Sequence, residues 1–95
     1  MEIEEVAKAL STDTRLKILK VLAEGEASAI NVYKRYNERF PDRRERTTIY
    51  RELEVLFSCN ILVKSYNEGS KEIVYRLAAR SINLDLIGQT AHAGP

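Results

Sequence analysis

Cysteine and histidine occur once each in these 95 residues, as Cys59 and His92. A lone thiol excludes an internal disulfide framework and any metal site built on several thiolates. No Cys/His or Ser/His pairing is evident and no glycine-rich phosphate loop appears, so nothing supplies an activated nucleophile or a nucleotide cradle. The chain is therefore expected not to be an enzyme, and no cofactor is implied. No apolar run approaches the roughly 18 residues that a membrane span needs, which argues against a membrane partner. The amino terminus has neither the basic nor the apolar region of a signal peptide, so the expected location is the cytoplasm. Charge of one sign is not in excess either, with 15 Lys and Arg against 14 Asp and Glu. With 44% hydrophobic and 31% charged residues, this is the composition of a folded globule. The length allows one domain with a modest core, which gains stability by burying surface against a partner.

What the near-zero total conceals is where the charges lie. Residues 34 to 51 hold Lys34, Arg35, Arg39, Arg43, Arg44, Arg46 and Arg51 against Glu38, Asp42 and Glu45. Residues 1 to 5, by contrast, carry three glutamates and no base. This asymmetry predicts a basic face and an acidic or neutral back. Residues 42 to 60 read DRRERTTIYRELEVLFSCN. At about 100° per residue Ile49, Leu53, Leu56 and Phe57 fall on one side, the stripe of an amphipathic helix packed on a core. Opposite them Arg43, Arg44, Thr47, Tyr50 and Arg51 gather toward the first half, the half that a recognition helix inserts into the major groove of DNA. The helix is expected over 43–58, with Asp42 and Glu45 in capping-box relation. A start near Arg46 is the alternative, because a longer helix turns Arg46 toward the core.

Ahead of this stretch Ile3, Val6, Ala7 and Leu10 recur at helical spacing and predict a first helix over 2–10. A second, over 14–24, carries Leu16, Ile18, Leu19, Val21 and Leu22, too widely spread for an exposed helix, and Gly25 supplies its stop. Ser28 can cap a third helix over 29–40, with Ile30, Tyr33 and Tyr36 or Phe40 inward, ended by Pro41. A short connection to the next helix then makes a helix-turn-helix. Asn60 is placed for a left-handed cap. Beyond it 61–66 and 71–77 alternate as two strands, with Leu62, Lys64 and Tyr66 on one face of the first and Ile73, Tyr75 and Leu77 on one face of the second. Asn67, Glu68, Gly69 and Ser70 form the tip.

The run TTIYRELEVL, followed by an apolar strand at Ile61 to Val63, a tip containing Gly69 and a strand that includes Tyr75, resembles the recognition helix and wing of Fur-type and PadR-type regulators. Upstream, the residues from Leu10 to Leu19, LSTDTRLKIL, are similar to the second-helix signature of the ArsR family. The resemblance spans residues 8 to 77. It implies an α+β winged helix-turn-helix occupying 1–88, mostly helical, with a two-stranded antiparallel wing at 61–77 and a C-terminal helix at 79–88. Residues 89–95 are expected to be disordered, His92 among them. The function implied is sequence-specific binding of double-stranded DNA by a small dimeric transcription regulator. The first and last helices would pair across a two-fold axis through Ile3, Val6, Ile82, Leu86 and Ile87; the alternative folds the last segment back on its own domain. Metal sensing is not carried over. The cysteine-containing motif of ArsR recognition helices is absent, and the His-rich second domain of Fur-type proteins would need a further length of chain. No small-molecule effector is identifiable.

Affinity for DNA rests on phosphate neutralisation and specificity on side chains at base edges. Arg51 is the expected base reader, since arginine bonds guanine bidentately; the bland alternative is a surface ion pair with Glu54. Thr47 and Thr48 are short enough to approach a phosphate or a thymine methyl, and Tyr50 either meets the backbone or packs at the core edge. Arg43, Arg44 and Arg46, with Lys34 and Arg35 on the preceding helix, are expected phosphate contacts, and Lys71 is the wing cation chosen for the flanking backbone. Cys59 reads as a half-buried small hydrophobe, with a redox-sensing thiol or intersubunit disulfide as the sharper alternative. The competing functional readings are a protein-interaction module and a nonspecific architectural DNA binder.

Overall fold

Thr12 opens the first helix whose full course is seen, because its hydroxyl accepts the N–H of Arg15 at 3.2 Å and so satisfies one of the free donors of the first turn. The computed structural model describes residue 4 and residues 12–78, 81–85 and 90–94. Of the helix expected at 2–10 only Glu4 lies among them, and it is helical. Helix α1 runs Asp13–Leu22, and β1 is the two-residue strand Ala27–Ser28. Helices α2 and α3 follow at Ala29–Arg39 and Arg46–Ser58, and strands β2 and β3 at Leu62–Asn67 and Glu72–Leu77. Strands β4 and β5 are Ser81–Asp85 and Thr90–Gly94.

Each helix buries one stripe. On α1 this is Ile18, Val21 and Leu22; Leu16, expected in the core, is 43% exposed. Two residues on a helix stand about 200° apart, so burying Ile18 turns Leu16 outward. Ser28 caps α2 as expected, accepting the N–H of Asn31 at 3.4 Å. Val32 and Tyr36 are fully buried one turn apart, while Tyr33 and Phe40 pack on the edge of the core. Phe40 is already extended, as the residue before Pro41 must be.

Helix α3 takes the later of the two expected starts. Glu45 is its N-cap and makes no side-chain cap bond, so the Asp42–Glu45 capping box does not form. The reason is that the Asp42 carboxylate is already engaged, accepting from Lys17 and from the Tyr36 hydroxyl. Ile49, Leu53 and Leu56 are wholly buried. Phe57, placed on that stripe by the sequence, is 39% exposed. Lys64 covers it instead, its ammonium 4.4 Å from the ring centroid. The helix ends in a Schellman motif: Asn60 has φ 62°, its N–H donates to Phe57, and the N–H of Ile61 donates to Leu56.

The sheet order is β1-β3-β2, all antiparallel. Leu62 faces Leu77, Lys64 faces Tyr75 and Tyr66 faces Ile73, which is the wing expected from the alternation. The tip sits one residue later than expected, and Lys71 turns the chain at φ 58°.

Two expectations about the last part of the chain are overturned. Residues 81–85 are strand, not helix, and Thr90–Gly94, expected to be disordered, is the strand paired with it, in the register Ile82 to Ala93 and Leu84 to Ala91. The sequence carries the cause, since Ile82 and Leu84 alternate with Asn83 and Asp85 at the period of a strand rather than a helix. The remainder of the expected helix, including Leu86 and Ile87, lies outside the described residues, as do Ile3 and Val6.

One core joins all three helices to the sheet: Ile18, Val21, Leu22, Ala27, Val32, Tyr36, Ile49, Leu53, Leu56, Ile61, Leu62 and Tyr75. Leu53 is one of its members with no exposure. Leu53→Ala should cost roughly 2–5 kcal/mol in urea unfolding, whereas Leu16→Ala, at a half-exposed site, should stay within about 0.5 kcal/mol.

Candidate nucleic-acid interface

Because α3 commits Ile49, Leu53 and Leu56 to the core, the opposite side of the helix is left to solvent. Thr47 and Arg51 are exposed there, with Thr48 and Tyr50 half-buried at its margins, and Arg46 is exposed at the start of the helix. The Arg51 guanidinium approaches Glu52 at 3.6 Å, and its side chain is 69% exposed. The pairing with Glu54 that competed for it does not form. Glu54 is instead taken by Lys64 at 2.7 Å and by the Tyr75 hydroxyl at 2.6 Å. Those contacts hold the Glu54 carboxyl below its ordinary range, Lys64 contributing most, and burial together with Glu54 pushes the Tyr75 phenol up. Glu52 is tied to α1 through Arg15 at 2.5 Å. The two carboxylates nearest Arg51 on the helix are thus occupied by other groups.

The turn before α3 is built around Asp42. Its carboxylate accepts from the Lys17 ammonium and from the Tyr36 hydroxyl, each at 2.8 Å, and lies 3.3 Å from Arg44. Lys17 also pairs with Asp13 one turn before it, at 2.8 Å. The hydrogen bond from Lys17, then that from Tyr36, lower the Asp42 carboxyl to about 2, while Asp13 and then Asp42 raise the Lys17 ammonium. Burial, reinforced by Asp42, raises the Tyr36 phenol. Beside this hub Asn37 grips the turn by its backbone. The Asn37 amide nitrogen donates to the Arg44 carbonyl at 3.0 Å, and its oxygen accepts the Arg44 N–H at 2.9 Å.

The sequence-predicted cations therefore divide. Arg44 is spent on the fold, its guanidinium bonding Thr14 at 3.1 Å, Asp42 and the Arg43 carbonyl. Arg46 rests over the Tyr33 ring at 5.7 Å. Lys34, Arg35, Arg43 and Lys71 are exposed and have no charged or hydrogen-bonding side-chain partner among the described residues. Lys71 sits at the wing tip away from the others, between Glu68 and Glu72 in sequence. Cys59 is a free, half-buried thiol packed against the core. Sequence reading missed Lys17, Asn37 and the real part played by Asp42. The Asp13–Lys17 spacing of one helical turn was visible, but Lys17 and Asp42 are 25 residues apart and only the fold joins them. Among the described residues no three His, Cys, Asp or Glu side chains converge as metal ligands.

Comparison with known proteins agrees with this geometry. Residues 7–91 match the model of the ferric uptake regulator family. A homodimeric winged helix-turn-helix DNA-binding domain from Mycobacterium bovis, a possible ArsR-family transcriptional regulator, superposes with TM-score 0.67 at 26% identity, over 81% of this chain and 64% of that one. The transcriptional repressor BigR from Xylella fastidiosa gives 0.63 at 28% identity, over 79% and 68%. The ferric uptake regulator from Pseudomonas aeruginosa, solved with manganese, gives 0.62 at 24% identity, over 98% and 74%, and bears on the fold alone. The chain thus spans less than two thirds of the first of these structures. None of the curated proteins compared with it matches the sequence.

The Asp42 hub sets a pH dependence. A carboxyl lowered on folding binds fewer protons in the native than in the unfolded state, so its stabilisation is complete above the unfolded value near 3.9 and is lost as pH falls toward about 2. Asp42→Asn should destabilise the domain at pH 7 and flatten the acid limb of the stability curve between about pH 4 and pH 2, as read by urea midpoints across that range. An acid limb unchanged in the variant would remove Asp42 from this part.

Proposed function

The chain belongs to the ferric uptake regulator family, and from that premise we propose that it is a transcription regulator that binds double-stranded DNA in a sequence-specific manner as a homodimer. Helix α3 enters the major groove and the β2–β3 wing lies along the flanking backbone. The observation that carries this reading is the division of α3 itself: three residues locked without exposure in the core, and Thr47 and Arg51 presented rigidly to solvent from the opposite side.

Roles follow from reach and freedom. Arg51, long, exposed and only loosely held by Glu52, reads a base. Thr47 and Thr48 approach a phosphate or thymine methyl, and Tyr50 meets the sugar-phosphate backbone. Lys34, Arg35 and Arg43 neutralise phosphates, with Arg46 beside them and Lys71 at the wing. Arg44 acts indirectly, by holding the turn from which Arg43 projects. For the metal in the family's name, no three His, Cys, Asp or Glu side chains converge among the described residues.

The dimer draws support from the Mycobacterium bovis domain, which is described as homodimeric. Its proposed interface joins Ile3 and Val6 near one end of the chain to Ile82, Leu86 and Ile87 after the wing. Two copies on one face of the duplex then require half-sites about 10 base pairs apart, or a multiple of that. One observation favours a second reading, a winged helix that contacts protein: Tyr66 and Ile73, paired across the wing, are 59% and 54% exposed.

Selection from random duplexes by the purified protein should recover a two-fold symmetric site. On that site Arg51→Ala should cost about 1–3 kcal/mol and relax preference at one position per half-site, with little change on scrambled duplex. Equal losses on both duplexes would make the protein a nonspecific architectural binder, and no binding at low salt would favour the protein-contact reading. Sedimentation should give twice the chain mass, unchanged in Cys59→Ser; a dimer lost in that variant would assign Cys59 to an intersubunit disulfide.

A further inference from the structure

We propose that the groove between α2 and the turn into α3 seats one phosphodiester of the DNA backbone, with Lys34 and Arg43 as joint ligands and Glu38 as the group that limits affinity. The proposal rests on the DNA-binding reading above and deepens it, because it assigns two cations to one phosphate and gives a neighbouring anion a function. Tyr33, Lys34, Asn37, Glu38 and Arg43 line an open groove of about 210 Å³. That is below the roughly 300 Å³ at which sites for larger organic ligands begin, and its open form lets a polymer pass through with both ester ends free.

The floor of the groove is held by contacts that involve no ligand. Asn37 spends its amide on the Arg44 backbone, so it fixes the floor and is not available to a ligand. The Arg43 backbone is fixed from both directions: its own N–H donates to the Pro41 carbonyl at 3.0 Å, and the next residue is gripped by Asn37. The Tyr33 ring is backed by Arg46 at 5.7 Å. What remains unspent is the ammonium of Lys34, the guanidinium of Arg43 and the carboxylate of Glu38, none with a partner among the described residues. Lys34 and Glu38 are one turn apart in the less favourable order for a helical ion pair, and they are not paired.

Two cations and one anion leave the groove with a net charge of +1. That complements the single negative charge of a phosphodiester and undercuts binding of a free phosphate dianion. The groove also adjoins the first turn of α3, so a DNA strand running past the start of the recognition helix crosses it.

The test titrates the full-length protein against the selected and a scrambled duplex at several salt concentrations. If Lys34 and Arg43 share one phosphate, Lys34→Ala and Arg43→Ala should weaken both duplexes alike and non-additively, and the double variant should flatten the salt slope by about 0.9 per protomer. Two separate phosphates would flatten it by about 1.8 per protomer, and no contact would leave it unchanged; either result overturns the seat. Glu38→Gln should tighten both duplexes about two- to fivefold, the scale of one exposed charge pair, and unchanged or weaker binding would remove Glu38 from the site. The two levels fail separately. An unchanged double variant beside an Arg51→Ala that still relaxes specificity overturns the seat alone, whereas an unmodified protein that binds neither duplex overturns the DNA reading with it.

Discussion

One carboxylate ties the turn that leads into α3 to the two helices before it. Asp42 meets Lys17 of α1 and Tyr36 of α2 in the same few ångströms, and Arg44 of the turn lies against it. A half-buried carboxylate is costly unless its oxygens are satisfied, and here three donors from three parts of the chain satisfy it. Since Tyr36 is also fully buried, the polar hub and the apolar core share a residue and neither can be rearranged alone. Helix α3 has no side chain capping its first turn; the turn that delivers it is held from outside by Asp42 and Asn37.

This arrangement sorts the basic residues by task. Lys17 and Arg44 are consumed in holding the turn, Arg15 is tied to Glu52 on α3, and Lys64 fastens the wing through Glu54. Arg39 pairs with Glu24 between α2 and the end of α1. Among the described residues, Lys34, Arg35, Arg43, Arg46 and Arg51 are left over on α2, the turn and α3, and Lys20, Lys71 and Arg76 lie apart from them on α1 and the wing. The charge asymmetry seen in the sequence is therefore partly structural, and a smaller set of charges than the count suggests faces outward for a polyanion. A guanidinium already held by a carboxylate neutralises no phosphate and displaces no counterion from a nucleic acid, so the salt dependence of the proposed DNA binding should report the free set rather than the whole.

Much of this was legible because periodicity is local. The buried stripe of α3, the Ser28 cap, the left-handed Asn60 and the cross-strand ladder of Leu62, Lys64 and Tyr66 against Leu77, Tyr75 and Ile73 are all written within a few residues of one another. Leu16 was misplaced because an apolar residue near a stripe reads as part of it, although a rotation of about 200° from Ile18 puts it in solvent, and Phe57 was misplaced because it stands at the edge of the α3 stripe, where Lys64 rather than the core covers it. Residues 81–85 were ambiguous in a different way. Ile82 and Leu86 share helical spacing while Ile82 and Leu84 share strand spacing, and the partner strand Thr90–Gly94 carries almost no apolar signal of its own. The Asp42 hub was illegible, since a capping box and a tertiary bridge use the same carboxylate and only the fold shows which one it serves.

Strand β1 is only two residues long, yet it alters how the domain can respond to a bound strand. Ala27 and Ser28 pair with Tyr75 and Val74 of the wing, and the same Ser28 caps α2. From the other side Glu54 of α3 bonds Lys64 and Tyr75 of the wing. The wing is thus tied at its root to both helices of the helix-turn-helix. Such a domain would behave as a single wrench rather than a pair of jaws: in the proposed complex, strain applied at the wing tip would become torque on the whole body, and accommodation of imperfect sites would fall to the joint between the two proposed copies and to the bending of the DNA.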